Sequence, residues 1–326
     1  MKKVLIAILL LGLLPHASAD YIHWVDFRLS APVLRSALEL DMASQGGEQP
    51  LDWIDILALA AAWRGGTGVT VADTQRAAQA LRGDTPPERL PGMAGRYFSY
   101  YREAYGAALG GLVGHFAIRR TDPQTGEAEW IPAYGLKAFS PIAAGYPWSH
   151  YPDFGAQRSY GYARPHLGND ILGALGTPIC AVEGGTVEAL GWNRYGGWRI
   201  GIRSDDRKRY YYYAHLRKDA PYAEGLAVGQ RVQAGDVIGF MGRTGYSTQE
   251  NVNNIETVHL HFGLQLIFDE SQKECDSEIW IDVYPIIELL ASHCSSVARD
   301  PQTGRWERLY PYCDLDAEPL RSAAAR

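Results

Sequence analysis

The chain has 326 residues, 46% of them hydrophobic, with 31 Lys and Arg against 37 Asp and Glu and a formal net charge of −6 at pH 7. That length exceeds what one compact core usually takes, so two domains are expected, each with apolar residues enough for its own core. The signs are mixed and no basic block stands out, which speaks against DNA or RNA as a partner.

Met1, Lys2 and Lys3 precede an apolar run from Val4 to Leu14, then Pro15 and the small residues Ala17-Ser18-Ala19 before Asp20. Basic, apolar and cleavable parts in that order read as a secretory signal peptide over residues 1–19. The apolar run is about half of the ~20 residues a membrane-crossing helix needs. A mature protein beginning near Asp20 is therefore expected in the periplasm or the extracellular envelope, as a soluble molecule.

Residues 20–119 have a helical pattern. Ser30 is placed to cap a helix that carries Val33, Leu34, Ala37, Leu38 and Met42, with Pro32 in its first turn. Further helices are expected from Trp53 to Trp63, closed by Gly65-Gly66, from Thr70 to Leu81, and from Arg96 to Leu109. Trp24, Trp53 and Trp63 are read as core. This half holds no cluster of His, Cys and carboxylates, so no chemistry is assigned to it; an envelope protein is its candidate partner.

A segment rich in Pro, Gly and Tyr, residues 120–163, is read as a linker, with Asp122-Pro123-Gln124-Thr125-Gly126 as its clearest turn. Beyond it the period changes from helical to two-residue alternation. Ile179 to Val182, Thr186 to Leu190, Trp198 to Arg203, Arg207 to His215, Arg231-Val232, Val237 to Phe240 and His259 to Ile267 read as strands separated by glycine-rich turns. The fold class is α+β multidomain: a helical N-terminal domain followed by a β-rich sandwich or half-open barrel over residues 164–270, with a C-terminal extension over 271–326 that contains a helix from Trp280 to Leu290. Cys180, Cys275, Cys294 and Cys313 show no Cys-x-x-Cys spacing and are not a metal site. Cys294 with Cys313 is the expected disulfide, and Cys180 is expected to pack as a small hydrophobe.

Three stretches hold the histidines that matter: His166-Leu167-Gly168-Asn169-Asp170, Tyr213-Ala214-His215 and His259-Leu260-His261. Residues two apart on a strand share a face, so His259 and His261 look out together while Leu260 and Phe262 turn inward. A hydrolytic zinc site needs three protein ligands and one position open to water; His166, Asp170 and His261 supply that count. His215 and His259 then remain for proton transfer. His23, His115, His150 and His293 have no ligand partner at useful spacing.

In order, spacing and intervening glycines, residues 164–267 resemble the lysostaphin and LytM type of peptidoglycan endopeptidase. The resemblance implies a small antiparallel β-sandwich of the LytM or duplicated-hybrid-motif kind, zinc on His166, Asp170 and His261, and His215 and His259 as the catalytic histidines. It also implies peptidoglycan stem or cross-link peptides as the substrate. Two departures stand out. An extra polar stretch, Gln249 to Thr257, is expected to line and narrow one wall of the groove, and Gly263 follows His261-Phe262 where many relatives carry Glu. The competing readings are a non-catalytic module that binds the wall or activates another hydrolase, and a zinc peptidase with a protein substrate. All five site residues are present, which opposes the first of these.

Overall fold

The structure, a computed structural model, describes residues 21–273 and 277–317; the expected signal peptide and Cys275 lie outside them. No helix among the described residues is long and apolar enough to cross a membrane.

Four helices come first. α1 (Ala31–Ser44) enters on Pro32, and although Ser30 occupies the cap position its side chain makes no cap hydrogen bond. α2 (Trp53–Arg64) is capped by the Asp52 carboxylate, which accepts from the Ile54 N–H, and closes on Gly65 at φ 63°. α3 (Val71–Leu81) opens with a full capping box between Thr70 and Asp73. α4 (Met93–Leu109) begins one turn before the expected Arg96. Trp53 is core as expected and Trp63 is half-buried beneath Arg76, whereas Trp24 is 63% exposed, contrary to its core reading.

The presumed linker is built into the fold. It contributes most of a hairpin, β1 (Val113–Thr121) with β2 (Ala128–Leu136), and then β3 (Trp148–His150) and β4 (Gln157–Arg158). After it come β5 (Arg164–Pro165), β6 (Asn169–Gly173), β7 (Pro178–Cys180), β8 (Gly185–Asn193), β9 (Gly197–Ser204) and β10 (Arg209–Ala214). β11 (Arg231–Val232), β12 (Val237–Phe240), β13 (His259–Leu266) and β14 (Ile279–Trp280) follow. α5 (Tyr284–Leu290) then leads to β15 (Val297–Arg299), β16 (Trp306–Arg308) and β17 (Tyr312–Asp314). Trp280, expected to open the helix, is therefore a strand residue.

One antiparallel sheet organises the second half, in the order β11-β8-β9-β10-β13-β6-β3, with β14 also paired to β13. Its alternation sorts the side chains. Ile200, Ile202, Tyr211, Tyr213, Leu260, Phe262 and Leu264 are buried on one face, in a single apolar cluster that continues into the four helices. Arg199, Tyr210, Tyr212 and His261 line a groove on the other.

No Cys294–Cys313 disulfide forms: Cys180, Cys294 and Cys313 are free thiols. Cys313 is fixed in the β17–β1 ladder opposite Ala117, and the Cys294 thiol turns back to donate to the Ala291 carbonyl at 3.3 Å. Cys180 is fully buried, as expected.

Arg209 ties the helices to the sheet. It is 1% exposed and makes a bidentate pair with Glu183 at 2.7 and 3.0 Å, while its Nη1 donates to the Ala107 carbonyl in the last turn of α4 at 2.8 Å. Those terminal carbonyls lack intrahelical partners and sit at the negative end of the helix dipole, so a guanidinium satisfies both. Tyr211 completes the cluster by donating to Glu183 at 2.6 Å. Replacing Arg209 with Ala leaves Glu183 buried without its cation and is expected to cost about 3–5 kcal/mol. Denaturant unfolding checks this, and a loss below about 1 kcal/mol would deny the cluster its docking role.

Candidate metal centre and catalytic groove

Three elements bring the candidate ligands together. His166 follows β5, Asp170 lies on β6 and His261 lies on β13, where the ladder sets it directly opposite Asp170. One donor atom from each residue converges, all within 4.8 Å of one another. His166 Nε2 is 2.7 Å from His261 Nδ1 and 3.0 Å from Asp170 Oδ1, and His261 Nδ1 is 3.1 Å from the same oxygen. Neighbouring ligands around a tetrahedral zinc with bonds of ~2.0–2.1 Å stand roughly 3.3 Å apart, so the triangle fits such an ion after a few tenths of an ångström of expansion. Two imidazoles and a carboxylate also suit zinc chemically.

Gly168 makes the approach possible. A Cβ at this position would lie 2.7 Å from His261 Cε1 and equally close to the Phe262 carbonyl, so any side chain would push the ring away from the ligand triangle.

The surrounding groups fix the tautomers. His166 Nδ1 is 3.1 Å from the Asp153 carbonyl and 3.2 Å from its carboxylate, both acceptors, so this nitrogen carries the hydrogen and Nε2 faces the centre. Asp153 also accepts from Asn169 and Arg158, and Arg158 donates in turn to Asp170 at 2.9 Å. His215 donates from Nδ1 to the Thr244 carbonyl at 2.9 Å, and His259 does the same to Thr257 at 2.9 Å. Each thereby turns Nε2 toward the centre, that of His259 lying 3.7 Å from Asp170 Oδ1, and their rings stand 4.7 Å apart by centroids. His215 sits just past β10 at φ 60°, a left-handed turn that swings its ring to the histidine face.

The electrostatics separate these groups. Burial works against charge on His166, but its bonds to Asp153 and Asp170 prevail and raise its pKa to about 9 when no ion is bound. Burial would also raise the Asp170 pKa, yet hydrogen bonds from His166 and His261 hold the carboxyl far below the usual range. His215 moves the other way: burial, then the neighbouring His259 and His261, push its pKa well down, leaving a neutral imidazole at pH 7. Burial also lowers His261, against the pull of Asp170.

All five predicted site residues meet in this region. The centre opens into a groove of about 320 Å³, lined also by Asn193, Tyr195, Tyr246 and Trp280. The stretch from Gln249 to Thr257 does not line it, contrary to expectation: Asn251 accepts from the Trp198 indole at 2.9 Å and bonds Asp219, turning the loop aside. Trp280 fills the space left by Gly263, where a Cβ would meet its ring at 2.8 Å. Sequence reasoning missed Asp153, Arg158 and Trp280. Asp153 and Arg158 lie in the supposed linker with no motif to mark them, whereas Asn169, inside the first histidine stretch, was visible but unassigned.

Residues 164–274 match the family model described as Peptidase family M23, and this segment is an M23 peptidase domain of the lysostaphin and LytM kind. The L-Ala–D-Glu endopeptidase of Bacillus subtilis is 40% identical over 130 residues, covering 40% of this chain and 38% of the relative. The glycyl-glycine endopeptidase ALE-1 of Staphylococcus capitis is 39% identical over 98 residues, 30% of this chain and 24% of the relative. The chain thus spans well under half the length of either. A crystal structure from Ruminococcus gnavus, provisionally assigned as a glycyl-glycine endopeptidase LytM, aligns with a TM-score of 0.48 at 25% identity, covering 82% of this chain and 91% of that one.

Two measurements test the centre. Asp153→Ala removes the carboxylate behind His166 and is expected to weaken zinc binding about 10- to 100-fold in a chelator competition; unchanged affinity would show that the backbone carbonyl alone orients the ring. Because His166 must give up its proton to bind an ion, affinity is expected to fall with pH, by about ten-fold per unit below the His166 pKa. The same competition, repeated at several pH values, reads that slope.

Proposed function

We propose that this chain is a zinc-dependent endopeptidase that hydrolyses amide bonds in the stem or cross-link peptides of peptidoglycan. The observation that carries the reading is the convergence of His166, Asp170 and His261 inside a segment that matches Peptidase family M23. The two curated relatives are described as endopeptidases, one of them for a bond to D-Glu, which supports a cell-wall peptide as the substrate class.

In this reading His166, Asp170 and His261 hold the ion. Zinc supplies a Lewis acid for the scissile carbonyl and makes water a competent nucleophile near neutral pH. The chain's own residues do the rest. Asp153 keeps the His166 hydrogen on Nδ1, and Arg158 balances the charge of Asp170. His215 and His259 present Nε2 to one space and divide the proton transfer, one accepting from the attacking water and the other serving the oxyanion or the departing amine. His215, neutral at pH 7, is ready to accept a proton.

The architecture belongs to the same proposal. The β domain is read as a sandwich of the duplicated-hybrid kind, with the β7–β12 ladder lying outside the main sheet. Export by the N-terminal signal peptide puts the enzyme where its substrate is, and the helical half offers a surface to an envelope partner.

Defined muropeptides with mass analysis of products, run with and without a chelator, test the activity. Cleavage that stops with the chelator and returns with zinc is expected. His215→Ala is expected to retain stoichiometric zinc while losing about 10²–10⁴ of its turnover. A fully active His215→Ala chain would remove His215 from the proton path, and cleavage indifferent to chelation would remove the metal.

A further inference from the structure

Strand β9 alternates between core and groove. Ile200 and Ile202 are fully buried, while Arg199 stands on the opposite side, in the wall of the groove that holds the histidines. Among the described residues its Nε, sealed from solvent, has no hydrogen-bond acceptor, and no carboxylate pairs with it. Buried donors are nearly always satisfied, so an orphan on a charged group that borders a groove points to an acceptor brought by a ligand.

The other charges of the groove are occupied. Arg158 bonds Asp170 at 2.9 Å and Asp153 at 3.1 Å. Arg164 donates to the Tyr160 carbonyl at 2.6 Å and lies 4.5 Å over the Tyr195 ring. Glu278 accepts from the Trp280 indole at 2.8 Å. Arg199 is thus the groove arginine left without a partner among the described residues.

Its position relative to the centre follows from the ladders. Tyr213 faces Ile200 on one side and Phe262 on the other, so Arg199 and His261, each one residue further on, stand level with two strand spacings between them, about 10 Å. An extended peptide advances roughly 3.3–3.6 Å per residue, and an arginine side chain spans part of the gap, so a group reaching Arg199 lies about one to three residues from a bond held at His261. Ala214 stands between them, and Tyr212, with Trp280 against it at 6.1 Å, lies one row along the same face, so the wall beside a charge pair formed there is apolar and strengthens it.

We infer that Arg199 is a specificity-determining residue that binds a free carboxylate of the substrate peptide, one to three residues from the bond that is cut. The inference rests on the endopeptidase reading above and narrows it: the preferred substrate is an acidic peptide, and the same peptide with that carboxylate converted to a carboxamide is a poorer one. Arg199 makes no side-chain hydrogen bond or ion pair among the described residues, so replacing it leaves the ligand triangle and its tautomer partners untouched.

The test uses two synthetic stem peptides that differ only in carboxylate or carboxamide at the acidic residue. Each is titrated by calorimetry against the zinc-loaded full chain and against Arg199→Gln and Arg199→Lys, with cleavage followed by mass analysis. The wild-type chain is expected to prefer the carboxylate peptide by about 10- to 100-fold, the worth of a charge-assisted hydrogen bond. Arg199→Gln is expected to bring the ratio close to one, chiefly through KM, and Arg199→Lys to restore part of it. Equal binding of both peptides by the wild-type chain, or a preference that survives in Arg199→Gln, overturns the inference. A wild-type chain that keeps the preference and cleaves neither peptide leaves the inference standing and strikes at the endopeptidase reading instead.

Discussion

Asp170 and His261 face each other across the β6–β13 ladder, and the candidate centre depends on that register. A slip of one residue would turn His261 inward and bring Leu260 or Phe262 out, because strand side chains alternate. The hydrophobic pattern forbids the slip: Leu260, Phe262 and Leu264 are all buried on the core face. Burial of ordinary apolar residues thereby fixes the position of a candidate metal ligand. His166 needs no register of its own, since Gly168 lets the loop pass close beside the His261 ring.

The centre then organises its neighbours by hydrogen-bond direction. Three histidines give Nδ1–H to acceptors provided by Asp153, Thr244 and Thr257, which leaves three Nε2 atoms aimed toward the chemistry. All three of these hydrogen bonds run to main-chain carbonyls, and only Asp153 adds its carboxylate. The orientation of these imidazoles is therefore built from backbone that substitution of side chains barely touches.

This division explains how much was legible in the sequence. The five site residues could be read because each sits in a short motif whose spacing survives folding, and the strands could be read because one face of the sheet is apolar. Asp153 and Arg158 could not, since they reach the centre through tertiary packing of a segment whose Pro, Gly and Tyr content looks like a connector. The misread disulfide has the same root: Cys294 and Cys313 are near in sequence, yet β17 is claimed by β1, where Cys313 stands opposite Ala117 from the far side of the chain. Trp24 reads as core on the same ground as Trp53 and Trp63, aromatics at helical spacing, yet it precedes α1 and stands exposed.

Trp280 comes from chain that follows the matched peptidase segment, yet its indole occupies the space over Gly263 and forms part of the groove. The three candidate ligands and this part of the wall are therefore encoded in separate stretches. A change at Trp280 would reshape this wall without touching any of the three candidate ligands, whose positions are set by strands and a loop earlier in the chain.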